Sequence, residues 1–295
     1  QEINNFPLAY QTYGQLNADK SNAILICHAL TGDQYVASAN PVTKKEGWWQ
    51  FMIGPKKPLD TEKFFVICTN VIGGCMGSFG PKDIDFATGK PYGLSFPVVT
   101  IDDMVKAQNL LIEEFGIQRL HAVIGGSAGG MQALAWSILF PHKIKSVVAM
   151  ATSYRHSPQN IAFHEVGRQA IMGDAAWLQG EYLQQHNYPT KGLAVARMVA
   201  HITYMSQNAL QRKFGRNLQG KDRLSFAFDQ DFQVESYLHY QGATFVERFD
   251  PNSYLFITKA VDYFDLESDF SGKLSNAFLN LSEVNKKVKF CVMSF

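Results

Sequence analysis

The sequence predicts an α/β protein: a mostly parallel central sheet, interrupted by a long helical insertion. Three observations predict it. Apolar runs of about five or six residues recur through the first half of the chain, with a helix-period stretch between them. After Thr152 strand-like runs give way to helical periodicity for about a hundred residues. Strand character then returns at Val288–Phe295.

The runs Ala23–Cys27, Phe64–Thr69, Leu120–Ile124 and Ser146–Ala151 are rich in Val, Ile or Phe and bounded by turn residues. Continuous apolar runs of this length suit parallel strands buried on both faces. Between the second and third, Thr100–Phe115 carries Ile101, Met104, Val105, Leu110, Leu111 and Phe115 at helical spacing, and Gly116 stops it. Asp102 and Asp103 sit at its start, where acids favour the helix dipole, so they read as helix-starting residues rather than a catalytic pair. Ser157-Pro158 reads as an N-cap with proline in the first helical position. Lys191–Met205 and Asn252–Phe264 are further helices. The chain therefore divides into a core, residues 1–155 and 267–295, and a helical cap, residues 156–266.

With 295 residues, 46% hydrophobic and 18% charged, the chain can bury a large core. A net charge of +1, with no basic stripe, argues against a nucleic-acid surface. No apolar run approaches the roughly 18–20 residues of a membrane span. The start, Gln1-Glu2-Ile3-Asn4-Asn5, is polar and has no apolar leader core. It also lacks an initiator Met, so residues are expected before Gln1. Cys27, Cys68, Cys75 and Cys291 form no C-x-x-C pair and read as buried free thiols in a reducing compartment, with no metal site and a cytoplasmic location.

The strongest chemical signal is Gly125-Gly126-Ser127-Ala128-Gly129-Gly130, placed between a strand and the helix Met131–Phe140. G-x-S-x-G in that context is the nucleophile elbow of the α/β-hydrolase fold. A serine held on so sharp a turn needs glycines two positions away on either side. Ser127 is thus the candidate nucleophile, and the Ala128 N–H one candidate oxyanion donor. The loop after an early strand supplies the second donor in this fold, which points to the Leu30 N–H in His28-Ala29-Leu30-Thr31-Gly32-Asp33. His28 precedes the serine, against the Ser–acid–His order of the fold, and reads as a residue shaping that loop.

At these residues the chain resembles the homoserine O-acetyltransferases of methionine biosynthesis. Ala9–Gly14 and Ser21–Ala23 lead into His28–Asp33 as that family's opening strand and loop do. Asn70–Ser78 with Pro81 is similar to its second glycine-rich loop, and Gly125–Leu134 to its elbow. Ala196-Arg197 with Ala200–Tyr204, then Asn252–Tyr254 and Asp262–Asp265, resemble parts of its cap. Ala128 departs from the pattern by being smaller than the usual apolar residue.

The resemblance implies a ping-pong transfer of an acetyl group from acetyl-CoA, a co-substrate, to the hydroxyl of L-homoserine through acyl-Ser127, with no cofactor. It implies that Arg197 and Tyr204, seven residues apart on one helix face with His201, bind the acceptor, Arg197 taking its carboxylate. It implies a homodimer joined through the cap. The family's triad Asp lies just beyond the strand represented by Val288–Phe295 and its His further on, so the C-terminal part of the fold is expected to be missing here. None of the six histidines after Ser127 (His142, His156, His164, His186, His201, His239) fits the place of the base. A succinyl donor, a serine acceptor, a plain esterase and a non-catalytic relative are the alternatives. Trp48-Trp49 reads equally as a cap on an apolar patch or as a donor contact. Lys44-Lys45 and Lys56-Lys57 read as solvated loop lysines, with attraction of the coenzyme's phosphates as the second reading.

Overall fold

A computed structural model describes residue 3, residues 5–279 and residues 288–294. Gln1, Glu2, Asn4, the stretch 280–287 and Phe295 lie outside the described residues, and with them parts of the expected polar start and of the 267–295 segment.

Among the described residues the central sheet has six strands: β1 (Tyr10–Tyr13), β2 (Ala23–Cys27), β3 (Phe65–Thr69), β4 (Ala122–Gly126), β5 (Ser146–Met150) and β6 (Lys289–Met293). Their order across the sheet is β1-β3-β2-β4-β5-β6. Only β1 is antiparallel to its neighbour; every other pairing is parallel. β2 lies in the interior, with Ile24 opposite both Val66 and Ala122, and all five of its residues are buried. An unbroken apolar run is what a strand covered on both faces requires. β4 begins two residues later than the periodicity suggested, since Leu120 makes only an isolated bridge to Ile144 and the strand runs on into the elbow.

Helix α1 (Ile101–Glu114) starts at a capping box: Thr100 Oγ1 accepts from the Asp103 N–H at 3.2 Å, and the Asp103 carboxylate accepts from the Thr100 N–H at 2.9 Å. It ends at Gly116 with φ +68°. Helix α2 (Ala128–Leu139) follows β4 without a loop. Ser127 makes the turn with φ 55° and ψ −124°, a conformation that L-residues rarely adopt. A Cβ on Gly125 would overlap the Gly129 carbonyl, and one on Gly129 would overlap the Cys27 carbonyl at the end of β2. Both glycines are therefore demanded by the close seat of α2 on the sheet.

Between β5 and β6 run α3 (Pro158–Met172), α4 (Tyr182–Gln185), α5 (Thr190–Thr203), α6 (Gln207–Phe214), α7 (Gln233–Val246) and α8 (Pro251–Tyr263). Ser157 caps α3 as expected, its Oγ accepting from the Asn160 N–H at 3.3 Å. α5 packs between α3 and α7. Leu193, Ala196, Phe245 and Tyr254 of these helices share one hydrophobic cluster with Leu25 of β2, Met104 of α1 and Trp136 of α2. The helices thus complete the core of the sheet and its flanking helices. Among the described residues no helix is long and apolar enough to cross a membrane.

One expectation is corrected here. Cys27 and Cys68 are buried and Cys75 partly so, but Cys291 is exposed. It lies on β6, all of whose residues are exposed. Among the described residues nothing pairs with the outer side of β6, so a strand-like run there does not bring burial.

Gly129→Ala should destabilise the protein by about 3 kcal/mol or more, because backbone must move to admit a methyl group against the Cys27 carbonyl. Gly89→Ala, at φ +70° with nothing within 4 Å, should cost only about 1–2 kcal/mol of backbone strain. Urea unfolding of both variants measures the difference, and equal losses would contradict the close-approach argument.

Candidate active site

The elbow lifts Ser127 onto the floor of a cavity of about 600 Å³. Leu30, Thr31, Ala128, His156, His164, Arg197, Tyr204 and Tyr254 line the same cavity. All five residues singled out as a site from the sequence, Ser127, Leu30, Ala128, Arg197 and Tyr204, therefore meet in one place. Among the described residues neither the Leu30 nor the Ala128 backbone N–H has an acceptor. Two open donors beside a serine hydroxyl are what a developing oxyanion needs.

His28 fixes the loop carrying Leu30. It is buried, its Nδ1–H donates to the Ala29 carbonyl at 2.7 Å, and its Nε2 accepts from the Val71 N–H at 3.2 Å. Burial lowers its pKa, which keeps Nε2 unprotonated and able to accept. The loop is also held from below. Gln132 of α2 donates to the His28 carbonyl at 3.2 Å and accepts from Gln108 of α1 at 2.7 Å, and Gln108 accepts from Trp136 at 2.8 Å.

Arg197 projects from α5. Its Nη1 donates to Thr31 Oγ1 at 3.1 Å, its guanidinium lies 4.8 Å from the centre of the Phe245 ring, and its Nε is buried without a partner. Arg248 lies over the same ring at 5.4 Å and donates to the Thr31 carbonyl at 2.9 Å. Among the described residues neither arginine has a carboxylate partner. Burial lowers the pKa of Arg197, and Arg248 adds to the effect. Tyr204, the last residue of that helix face, is 62% exposed at the cavity wall. His201 instead bonds Tyr237 through Nδ1 at 2.8 Å, and burial, with Arg197 and Lys213 nearby, pushes its pKa down to about 4. It is a packing residue of α5.

Four residues in or behind the cavity were not singled out from the sequence for any chemistry. His156 and His164 each donate Nδ1–H to Asp262 Oδ1, at 3.1 and 2.7 Å, and Arg168 Nη1 donates to Asp262 Oδ2 at 2.7 Å. The one available signal was weak: His164 and Arg168 stand four apart, on one face of α3. Among the described residues no hydrogen bond joins the Ser127 hydroxyl to an imidazole. A second cavity of about 510 Å³ shares Thr31 and Arg197 with the first and is lined also by Lys45, Trp48 and Arg248. Trp48 is stacked on Trp49 and donates to the Asp33 carbonyl at 3.0 Å.

A parallel sheet, a left-handed serine elbow at its centre and two open N–H donors above it define a hydrolase-type α/β fold. The family described as "alpha/beta hydrolase fold" matches residues 22–258. Curated relatives narrow this. A homoserine O-acetyltransferase of Rhodopseudomonas palustris (strain BisB18) is 60% identical over 290 residues, covering 98% of this chain and 71% of that relative. One of Caulobacter vibrioides (strain NA1000 / CB15N) is 61% identical over 293 residues, covering 99% and 75%. The chain belongs to the homoserine O-acetyltransferase family. Among solved structures, the homoserine O-acetyltransferase from Bacillus anthracis is 27% identical with a TM-score of 0.83, covering 97% of this chain and 86% of that one. Esterase E22 has the same identity and TM-score, covering 100% and 89%.

Asp262 ties α8 to α3. Its burial would raise its pKa, but the hydrogen bonds from His156, His164 and Arg168 outweigh this and hold it well below the usual carboxylate range. A depressed folded pKa adds stability above the unfolded value of about 3.9, and that stability is lost as pH falls through the folded value. Asp262→Asn should therefore destabilise the protein at pH 7 by about 3 kcal/mol, since it removes the buried charge partner of Arg168 and leaves it only the more exposed Glu165. The gap between wild type and variant should stay constant down to about pH 4 and then narrow as the solution becomes more acid. Urea titrations of both proteins across that range check it, and a gap that widened with acid would refute the assignment.

Proposed function

We propose that the protein transfers an acetyl group from acetyl-CoA to the hydroxyl of L-homoserine, with Ser127 as nucleophile. One observation carries the reading: a guanidinium without a carboxylate partner among the described residues, Arg197, lines the same cavity as an elbow serine. Ser127 Oγ attacks the thioester carbonyl, and the resulting oxyanion accepts from the Leu30 and Ala128 N–H groups. Collapse expels the coenzyme's thiolate and leaves acetyl-Ser127. The homoserine hydroxyl then attacks this ester while Arg197 holds its carboxylate through two parallel hydrogen bonds, with Tyr204 beside it. Proton transfer needs a general base, which the family pattern assigns, with its acid, to chain following β6.

The cavity holding Lys45, Trp48 and Arg248 adjoins the acyl site, and its cations and indole suit the phosphates and adenine of the donor. A cytoplasmic homodimer joined through the helical segment belongs to the same proposal; Phe226 and Phe228 stand exposed on that segment and support an apolar contact. Esterase activity is the second reading, favoured by the equal likeness to esterase E22. The two readings differ in whether water or homoserine takes the acyl group.

Mixed with acetyl-CoA alone, the enzyme should gain one acetyl group by intact-mass spectrometry and Ser127→Ala none. An acetylated Ser127→Ala protein would end the nucleophile assignment. Adding homoserine should discharge the acyl-enzyme far faster than water does; equal rates would favour the esterase.

Arg197→Ala should spare acylation and weaken the homoserine step by about 30- to 1,000-fold, the worth of a lost bidentate charged contact of roughly 2–4 kcal/mol. Arg197→Lys should recover only part of this. Single-turnover deacylation against homoserine concentration measures it, and an unchanged dependence would remove Arg197 from the acceptor site.

A further inference from the structure

His156, His164 and Asp262 converge although they come from three places: the turn before α3, the middle of α3 and the end of α8. Each offers one donor atom, and the three atoms lie within 4.8 Å of one another. We propose that they form a binding site for a first-row divalent transition metal, Zn²⁺ by preference, on the wall of the Ser127 cavity.

The donor set is the first support. Two imidazoles and one carboxylate suit zinc, cobalt or nickel and are a poor match for calcium or magnesium, which prefer all-oxygen shells. Spacing is the second. Ligands about 2.0–2.1 Å from one metal ion stand roughly 3.0–3.4 Å apart. The Asp262 Oδ1 to imidazole Nδ1 separations, 3.1 and 2.7 Å, need an opening of only a few tenths of an ångström on the shorter side, and the two imidazole donors, within 4.8 Å of each other, would draw together around the ion. Both nitrogens already aim at one oxygen. A shift of each ring to its Nε2–H tautomer frees the Nδ1 lone pairs with no net loss of protons.

Orientation and charge are the third support. Arg168 binds the far oxygen of Asp262 at 2.7 Å, which fixes the carboxylate and leaves Oδ1 for a ligand, as the outer partners of metal ligands do. Its Nε also binds Glu165 at 2.9 Å. Asp262 and Glu165 stand against Arg168, with Lys259 also acting on Glu165, so the group carries no net positive charge to repel a cation when both imidazoles are neutral. His156 and His164 both line the cavity, so the remaining coordination positions face its interior, open to water or to a ligand's oxygen.

Binding itself is the test, and it involves no acyl transfer, so its failure would leave the proposed function untouched. Co²⁺ titrated into the metal-free enzyme should give visible ligand-field bands at one ion per chain, and Zn²⁺ should displace it. Calorimetry with Zn²⁺ should return a Kd on the order of micromolar or tighter. His156→Gln, His164→Asn and Asp262→Asn should each weaken binding by roughly 100-fold or more, a loss at least as large as removing an outer partner causes. His239→Gln, at an exposed histidine elsewhere, should bind as the wild type does. His164→Asn keeps the Asp262–Arg168 pair, so it separates loss of a ligand from loss of fold, and circular dichroism verifies this. Absence of the bands, a Kd in the millimolar range, or unchanged binding in His156→Gln and His164→Asn would overturn the proposal.

Discussion

The contact on which the site depends is the seat of the first turn of α2 against the end of β2. Ser127 takes a left-handed backbone, and Gly129 comes so close to the Cys27 carbonyl that no side chain fits between them. This approach sets the Ala128 N–H beside the strand end that leads into Leu30. Two donors from segments a hundred residues apart thereby border the same serine. The strain at Ser127 is held by β4 on one side, paired with β2 and β5, and by the whole of α2 on the other.

Below that contact lies a polar chain that an apolar core would not tolerate unless it were complete. Trp136, Gln108, Gln132 and the His28 carbonyl satisfy one another in sequence. Above it, the neutral His28 ring joins the loop carrying Leu30 to the second glycine-rich loop through Val71. A protonated ring would lose that acceptor, so the low pKa imposed by burial maintains the geometry of the loop as well as the charge of the residue. His28 is thus structural in a specific sense: it aims a backbone donor.

How much of this was legible in the sequence follows the range of the forces involved. The buried strands, the Thr100 cap, the Ser157-Pro158 start and the elbow are local patterns, and their signals lie within a few residues of the feature. β1 was plainer as a motif than as a strand, because its residues alternate between exposed and half-buried at a sheet edge. Cys291 looked like a core residue because a strand's apolar run does not reveal what covers it. Arg197 reached the candidate site through family resemblance, since spacing alone says only which residues share its helix face. The His156–Asp262 contact joins residues 106 positions apart, one in the turn before α3 and one on α8, and no local pattern could have reported it.

The fold alone does not separate a transferase from an esterase: homoserine O-acetyltransferase and esterase structures match this one equally well. The distinction has to come from the helices over the cavity. There two guanidiniums share the Phe245 ring, and among the described residues neither has a carboxylate partner. Partly buried cations that share one ring repel each other, and the Arg197 Nε, buried without a partner, has given up hydration that no protein group replaces. On the proposed function, an acceptor bearing a carboxylate would supply the missing anion and in doing so bring its hydroxyl toward Ser127. Water, which has no charge to offer, gains nothing from the same arrangement. The electrostatic imbalance at Arg197 and Arg248 is therefore the feature by which this cavity would prefer an amino-acid acceptor to hydrolysis.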